Sequence, residues 1–200
     1  MRSPLRYQVT PYDCGPTTMI NAIMFLFERE EIPPDVVRHI GQCTLDSYDT
    51  TGHCGKYGTS GAAVRYFGTW LNELRFAGLL PVRSSYLEKE EVHFEEGSQI
   101  LRHLKEGGAC VLHVFVETGH YILLTGLSEE GLLAFDPYYR GDQLYSEKVR
   151  RIEGHPFSHN LMIPWETILD EKNHEYSLGA ADTREAILIG RESVETLYVI

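Results

Sequence analysis

The chain has 200 residues, of which 42% are hydrophobic and 24% charged, a composition close to that of average globular proteins and outside the range of disordered chains. The length predicts one domain covering residues 1–200. The net charge of −11 argues against a nucleic-acid partner, because phosphate backbones are bound by basic surfaces.

Two further features predict where the protein works. Residues 1–13 carry two prolines and several charges before any apolar run begins, so we expect neither an export signal nor a membrane span. If one of the four cysteines is catalytic, the remaining three cannot all pair in disulfides. This favours free thiols in a reducing compartment. We therefore expect a cytoplasmic location.

Helices are predicted in the first half of the chain. Residues 1–12 should be extended because Pro4 and Pro11 disfavour helix, and Asp13 is the expected cap of the next element. Apolar residues then recur at helical spacing, which predicts a central buried helix over residues 14–30. Further helices are predicted over residues 35–43, starting near Pro34, over residues 61–77, ended by Gly78, and over residues 98–105, with a loop over residues 45–59.

Strands are predicted mainly in the second half. β-rich apolar runs separated by tight glycine-containing turns indicate antiparallel strands. They cover residues 79–86, 109–116, 120–127 and 131–135, followed by a polar connection over 137–156, a helical turn over 164–169, a polar loop over 172–184 and a closing hairpin of 186–190 with 196–200. Helices followed by a sheet predict an α+β fold.

The stretch QVTPYDCGPTT, residues 8–18, leads directly into the first predicted helix. Cys14 then stands where backbone N–H groups are unpaired and the helix dipole is positive, which favours the thiolate form. Pro16 suits the first helical turn. Gln8 carries a side-chain amide able to fold back toward the sulfur and donate to a developing oxyanion. The stretch is therefore typical of a cysteine nucleophile.

Together with the later segments GHYILLTG and FDPY, this motif resembles the C39 family of papain-like cysteine peptidases and its stand-alone relatives. The resemblance implies a papain-like fold, with an N-terminal helical part packed on a C-terminal antiparallel sheet, and chemistry without a cofactor. It makes Cys14 the nucleophile, Gln8 the oxyanion-hole glutamine, His120 the general base and Asp136 the residue that orients the base. Known members of the main family cleave double-glycine leader peptides and are usually fused to exporters. No membrane or nucleotide-binding portion is expected here, so the scissile sequence stays open.

The positions of His120 and Asp136 agree with these roles. His120 begins a predicted strand, and Asp136 ends the next one after the short turn SEEG. Antiparallel neighbours joined by such a turn bring the two side chains together. An imidazole so placed helps to ionise a thiol and later returns the proton to a leaving amine.

The sequence therefore predicts a cysteine peptidase acting on a peptide or protein substrate, with Tyr138 and Trp165 as candidate substrate-binding residues. Two other classes remain open, an acyltransferase that uses the same thiol and a non-catalytic peptide-binding module. The oligomeric state is not predicted.

A rival site consists of nitrogen and sulfur ligands suited to tetrahedral zinc. Its members are His39, Cys43, His53 and Cys54. The first two are four residues apart and would share a helical face. The spacing of the second pair is unlike that of common zinc knuckles, so the prediction for the active site includes no metal.

Overall fold

The computed structural model describes residues 1–139 and 148–192. Its α-helices are α1 (Cys14–Leu26), α2 (Pro34–Cys43), α3 (Gly61–Phe76), α4 (Gln99–Lys105) and α5 (Trp165–Ile168). Its strands are β1 (Val82–Glu88), β2 (Ala109–Val116), β3 (Thr118–Leu127), β4 (Gly131–Phe135), β5 (Arg150–Arg151), β6 (Leu161–Pro164) and β7 (Glu185–Arg191). The predicted α+β class with an antiparallel sheet is confirmed.

The helices begin and end at local signals. Ser60 caps α3 by accepting from the Ala63 N–H at 3.2 Å, and Ser98 caps α4 in the same way. Gly78 adopts the left-handed conformation that ends α3, with φ of 69°. No helix among the described residues is both long and apolar enough to cross a membrane.

The first helix is shorter than predicted. It ends at Leu26 rather than near residue 30, because Phe27 takes an extended conformation, with φ of −126° and ψ of 146°. That turn buries the Phe27 ring, which is 2% exposed. The following residues form a short 3₁₀ turn, Arg29–Glu31, closed by a capping box from Glu28. Tertiary burial of one aromatic ring thus outweighs the local helical pattern.

The sheet has seven strands in the order β1-β7-β2-β3-β4-β6-β5, and every pairing is antiparallel. β7 lies between β1 and β2, so its described partners are strands far away in sequence. The predicted hairpin partner at residues 196–200 lies outside the described residues. β5 and β6 were not predicted, since two and four residues are too short to show a period.

Apolar side chains cover both faces of this sheet. One cluster joins α1, α2 and α3 to one face, through residues such as Met19 and Val111. The other packs α4 and the loops against the opposite face, through residues such as Ile100 and Leu112. Burying one such large side chain is worth roughly 1.5–3 kcal/mol, so the central strands form a firm platform for the side chains at their ends.

Candidate active site

Helix α1 lies directly against strand β3. The Thr18 hydroxyl donates to the Tyr121 carbonyl at 2.9 Å, which links the first turns of the helix to the residue after His120. Cys14 is the first residue of α1 and is 8% exposed. The start of α1 therefore places Cys14 beside the first residues of β3.

Cys14, His120 and Asp136 lie together at this place. His120 Nε2 lies 2.7 Å from Asp136 Oδ1, and the His120 ring lies close enough to Cys14 to lower the pKa of the thiol. Because Nε2 is engaged by the carboxylate, the other ring nitrogen, Nδ1, is the one left for the sulfur. The strand register brings His120 and Asp136 together, because Leu123 pairs with Phe135 and the start of β3 therefore lies beside the end of β4.

The electrostatics of this chain favour an ion pair. Burial alone would raise the pKa of Cys14, but the nearby His120 imidazolium, together with backbone groups of Tyr121 and Gly15, holds that pKa below its ordinary value. Burial likewise opposes a charge on His120, yet the charge and hydrogen bond of Asp136 and the contact with Cys14 raise the pKa of His120 to about 10. The two shifts together favour the thiolate–imidazolium form of the pair over the neutral form.

Asp136 is fixed on every side. It is completely buried, and its Oδ1 also accepts from the Tyr138 N–H at 2.8 Å while Oδ2 accepts from the Tyr176 hydroxyl at 2.6 Å. The Asn160 side chain accepts from the Asp136 N–H and donates to its carbonyl, both at 2.8 Å. Sequence reasoning missed Tyr176 and Asn160, which lie 40 and 24 residues away along the chain with no motif to mark them.

Gln8 lies in the wall of the same cleft as Cys14 and His120. Its backbone N–H donates to the Pro137 carbonyl at 2.8 Å, which ties it to the residue after Asp136. One hydrogen of its side-chain amide is used by the Thr10 carbonyl at 2.8 Å, and the amide nitrogen carries a second. Gln8 and Cys14 thus line one cleft, and the Gln8 amide has a second N–H besides the one bonded to Thr10.

The role expected of Asp13 is wrong in detail. It precedes α1, but its side chain makes no capping hydrogen bond to the helix. Its carboxylate instead accepts from the Val9 and Thr10 N–H groups at 3.1 and 2.8 Å, and from the Thr10 hydroxyl at 2.7 Å. Asp13 therefore closes a turn in the segment that joins Gln8 to Cys14.

An open cleft of about 560 Å³ adjoins the sulfur. Tyr138, a predicted substrate-binding residue, lines it, and its ring lies edge-on to His120 at 6.3 Å between centroids. Trp165, the other predicted contact, is not brought to the cleft. Its ring packs near Phe94 at 6.0 Å, and its Nε1 donates to the Glu129 carbonyl at 3.2 Å.

The four side chains of the rival zinc site do not form one centre. His39 contacts Cys43 at 3.8 Å and stacks on Trp70 at 4.1 Å. His53 contacts Thr51, and the Cys54 thiol points to the Leu45 carbonyl. Within residues 1–139 and 148–192, no three side chains of His, Cys, Asp or Glu are grouped as metal ligands would be.

Chemically, the arrangement is suited to attack on a carbonyl carbon. A thiolate is the nucleophile, an imidazolium beside it can protonate a leaving group, and a buried carboxylate fixes the imidazole. No family model matches the chain, and no curated protein sequence matches it significantly.

Proposed function

We propose that the protein is a cysteine peptidase that cleaves an amide bond through an acyl-enzyme. The observation that carries this proposal is the 2.7 Å pair of His120 and the buried Asp136, with Cys14 and His120 in the wall of one open cleft. Neither a structural thiol nor a passive binding surface needs an ionised sulfur held in this way.

In the proposed reaction, the Cys14 thiolate adds to the substrate carbonyl carbon, and the carbonyl oxygen takes up the negative charge. The Cys14 N–H and the second amide hydrogen of Gln8 stabilise that oxyanion. The His120 imidazolium gives its proton to the leaving amine as the C–N bond breaks, which leaves a thioester on Cys14. Neutral His120 then takes a proton from water, the hydroxide adds to the thioester, and the C–S bond breaks to release the acid and restore the thiolate.

The arrangement of elements also supports a papain-like fold in a single domain covering residues 1–200. The nucleophile stands at the start of a helix that packs against β3, the base lies on β3, and the carboxylate follows the antiparallel neighbour β4. The resemblance to the C39 family implies the same assignment of nucleophile, base and carboxylate to these elements.

The substrate we propose is a peptide or protein segment. The cleft is open to solvent and has tyrosine side chains in its wall, Tyr12, Tyr57 and Tyr138, which are all more than a third exposed. Aromatic rings of this kind pack against apolar parts of a peptide while their hydroxyls remain hydrated. All four cysteines are free thiols, which supports work in a reducing compartment such as the cytoplasm.

The direct test is incubation of the protein with a diverse peptide library, with products identified by mass spectrometry. Cleavage should be lost in Cys14→Ala and retained in Cys43→Ala, a cysteine substitution on α2 outside the cleft. Equal cleavage by Cys14→Ala would contradict the proposal. Adding a primary amine distinguishes the acyltransferase alternative, because a transferase forms a new amide where a peptidase forms the free acid.

A further inference from the structure

Tyr176 makes the most buried hydrogen bond to the Asp136 carboxylate. The donor ring and the acceptor side chain are both completely buried, and the oxygen atoms are 2.6 Å apart. The other carboxylate oxygen is shared by His120 and the Tyr138 N–H. Both oxygens are therefore engaged, so the plane of the carboxylate is set by its partners rather than by its own torsion angle.

The backbone of Tyr176 is held in an unusual conformation. Its φ is 62°, in the left-handed region that non-glycine residues rarely adopt. Its N–H donates to the Phe115 carbonyl at 2.6 Å, and the Phe115 N–H donates to the Ser177 carbonyl at 3.1 Å. Phe115 pairs with Gly119, the neighbour of His120. The hairpin that contains His120 is thus hydrogen-bonded to the segment that contains Tyr176. A left-handed backbone conformation at a non-glycine residue beside a reactive group points to function.

We propose that Tyr176 is a positioning residue whose hydroxyl fixes the Asp136 carboxylate and thereby holds His120 against Cys14. The inference rests on the function proposed above. Tyr176 acts through Asp136 and is not among the described residues that line the cleft. Without the hydroxyl, the carboxylate is free to rotate, and the imidazolium is held less firmly beside the thiolate.

Two other titratable groups lie near the catalytic residues, and their own contacts should not change in a test of Tyr176. His113, on β2, has its pKa lowered by burial and is neutral at neutral pH and above. Glu185, on β7, accepts from the Tyr121 and Tyr86 hydroxyls. The hydrogen-bond partners of Glu185 are thus tyrosines other than Tyr176, and replacing the Tyr176 hydroxyl leaves those two bonds in place.

The test is the pH dependence of Cys14 alkylation by iodoacetamide, followed by peptide mapping in the parent, in Tyr176→Phe and in the control Tyr66→Phe. Tyr66 on α3 is hydrogen-bonded to His39 on α2, so Tyr66→Phe removes a tyrosine hydrogen bond outside the site. Exposed Cys54 serves as the reference thiol in every digest. We expect the Cys14 midpoint of Tyr176→Phe to rise by about one pH unit, which slows alkylation well below the midpoint about tenfold. A midpoint equal to that of Tyr66→Phe would overturn the proposal.

Two additions keep the result decisive. If Tyr176→Phe does not fold, 3-fluorotyrosine incorporated at position 176 alone keeps the ring and hydroxyl while making the hydroxyl more acidic. A moved Cys14 midpoint then supports the coupling, and an unmoved one overturns it. Since alkylation needs no substrate, a protein that cleaves no peptide but shows the Tyr176 effect would end the proposed function and leave the positioning role intact. With a cleaved peptide, kcat should fall while KM stays constant.

Discussion

At the scale of single residues, two buried cysteines show that burial alone does not decide reactivity. Burial raises the pKa of the Cys110 thiol, which has no charged partner among the described residues and behaves as a small apolar side chain. Cys14 is also buried, but the His120 imidazolium and two backbone groups reverse the direction of its pKa shift. The thiolate of Cys14 is favoured because its partners stabilise the charge more than burial disfavours it.

Gln8 supplies the first prediction at this scale. Replacing it with alanine removes a donor that acts only once the oxyanion has formed, so kcat should fall by about 100-fold with little change in KM. Steady-state kinetics on a peptide found in the library screen measure this. Gln42→Ala, an exposed glutamine on α2, is the control and should match the parent. A loss confined to KM would show that Gln8 binds substrate instead.

At the scale of elements, the site depends on how closely the start of α1 approaches the loop that forms the cleft wall. Gly15 follows the nucleophile, and a Cβ at that position would lie 2.1 Å from Thr59 Oγ1. Thr59 itself lines the cleft. The glycine is therefore required by close packing beside Cys14, since its φ is not in the left-handed region.

Two helical glycines should accordingly respond to alanine in opposite directions. Gly15→Ala should destabilise the protein by about 1–3 kcal/mol through overpacking and should slow Cys14 alkylation as the cleft wall shifts. Gly41→Ala, in α2 with no atom within 4 Å of the added Cβ, should stabilise it by about 0.5–1 kcal/mol. Chemical denaturation measures both. A Gly15→Ala variant as stable as Gly41→Ala would contradict the close approach.

Elements with local signals are predictable from sequence, and those set by distant contacts are not. Ser60 and Ser98 mark helix starts that the structure confirms. The end of α1 at Leu26 depends on burial of Phe27, which no local pattern contains. In the site, Cys14, His120 and Asp136 stand at recognisable element ends. Long-range packing, which no local pattern contains, brings Tyr176 and Asn160 to Asp136. The same kind of packing holds Trp165 away from the cleft.

At the scale of the whole molecule, the sheet joins the two apolar clusters through strands distant in sequence. β7 lies between β1 and β2, with Ile187 opposite both Tyr86 and Val111. The strand thus pairs with residues that lie 101 and 76 positions before Ile187 in the sequence. Both clusters contain residues of β7, so we expect them to unfold together.

Ile187 provides the test of that cooperativity. The side chain is completely buried, so Ile187→Ala should cost about 2–5 kcal/mol and lower the midpoint of one cooperative transition. Leu79→Ala, at a side chain 59% exposed, should cost under about 1 kcal/mol. Two separate transitions in Ile187→Ala, followed by circular dichroism during denaturation, would show that the clusters are independent.

The pH dependence of activity follows from the signs of the two shifts. The thiolate is lost as pH falls below the lowered pKa of Cys14, and the proton needed by the leaving amine is lost as pH rises past the pKa of His120 at about 10. Hydrolysis should therefore be bell-shaped, with its alkaline limb near that value.

The most direct measurement is the alkylation rate of Cys14 against pH in the parent and in His120→Gln. The ion pair predicts a parent midpoint below the ordinary thiol value of 9.0. In His120→Gln burial acts without the imidazolium, so the midpoint should move above that value. A parent Cys14 that titrates at or above 9.0, or a midpoint that His120→Gln leaves unchanged, would contradict the thiolate–imidazolium pair on which the account depends.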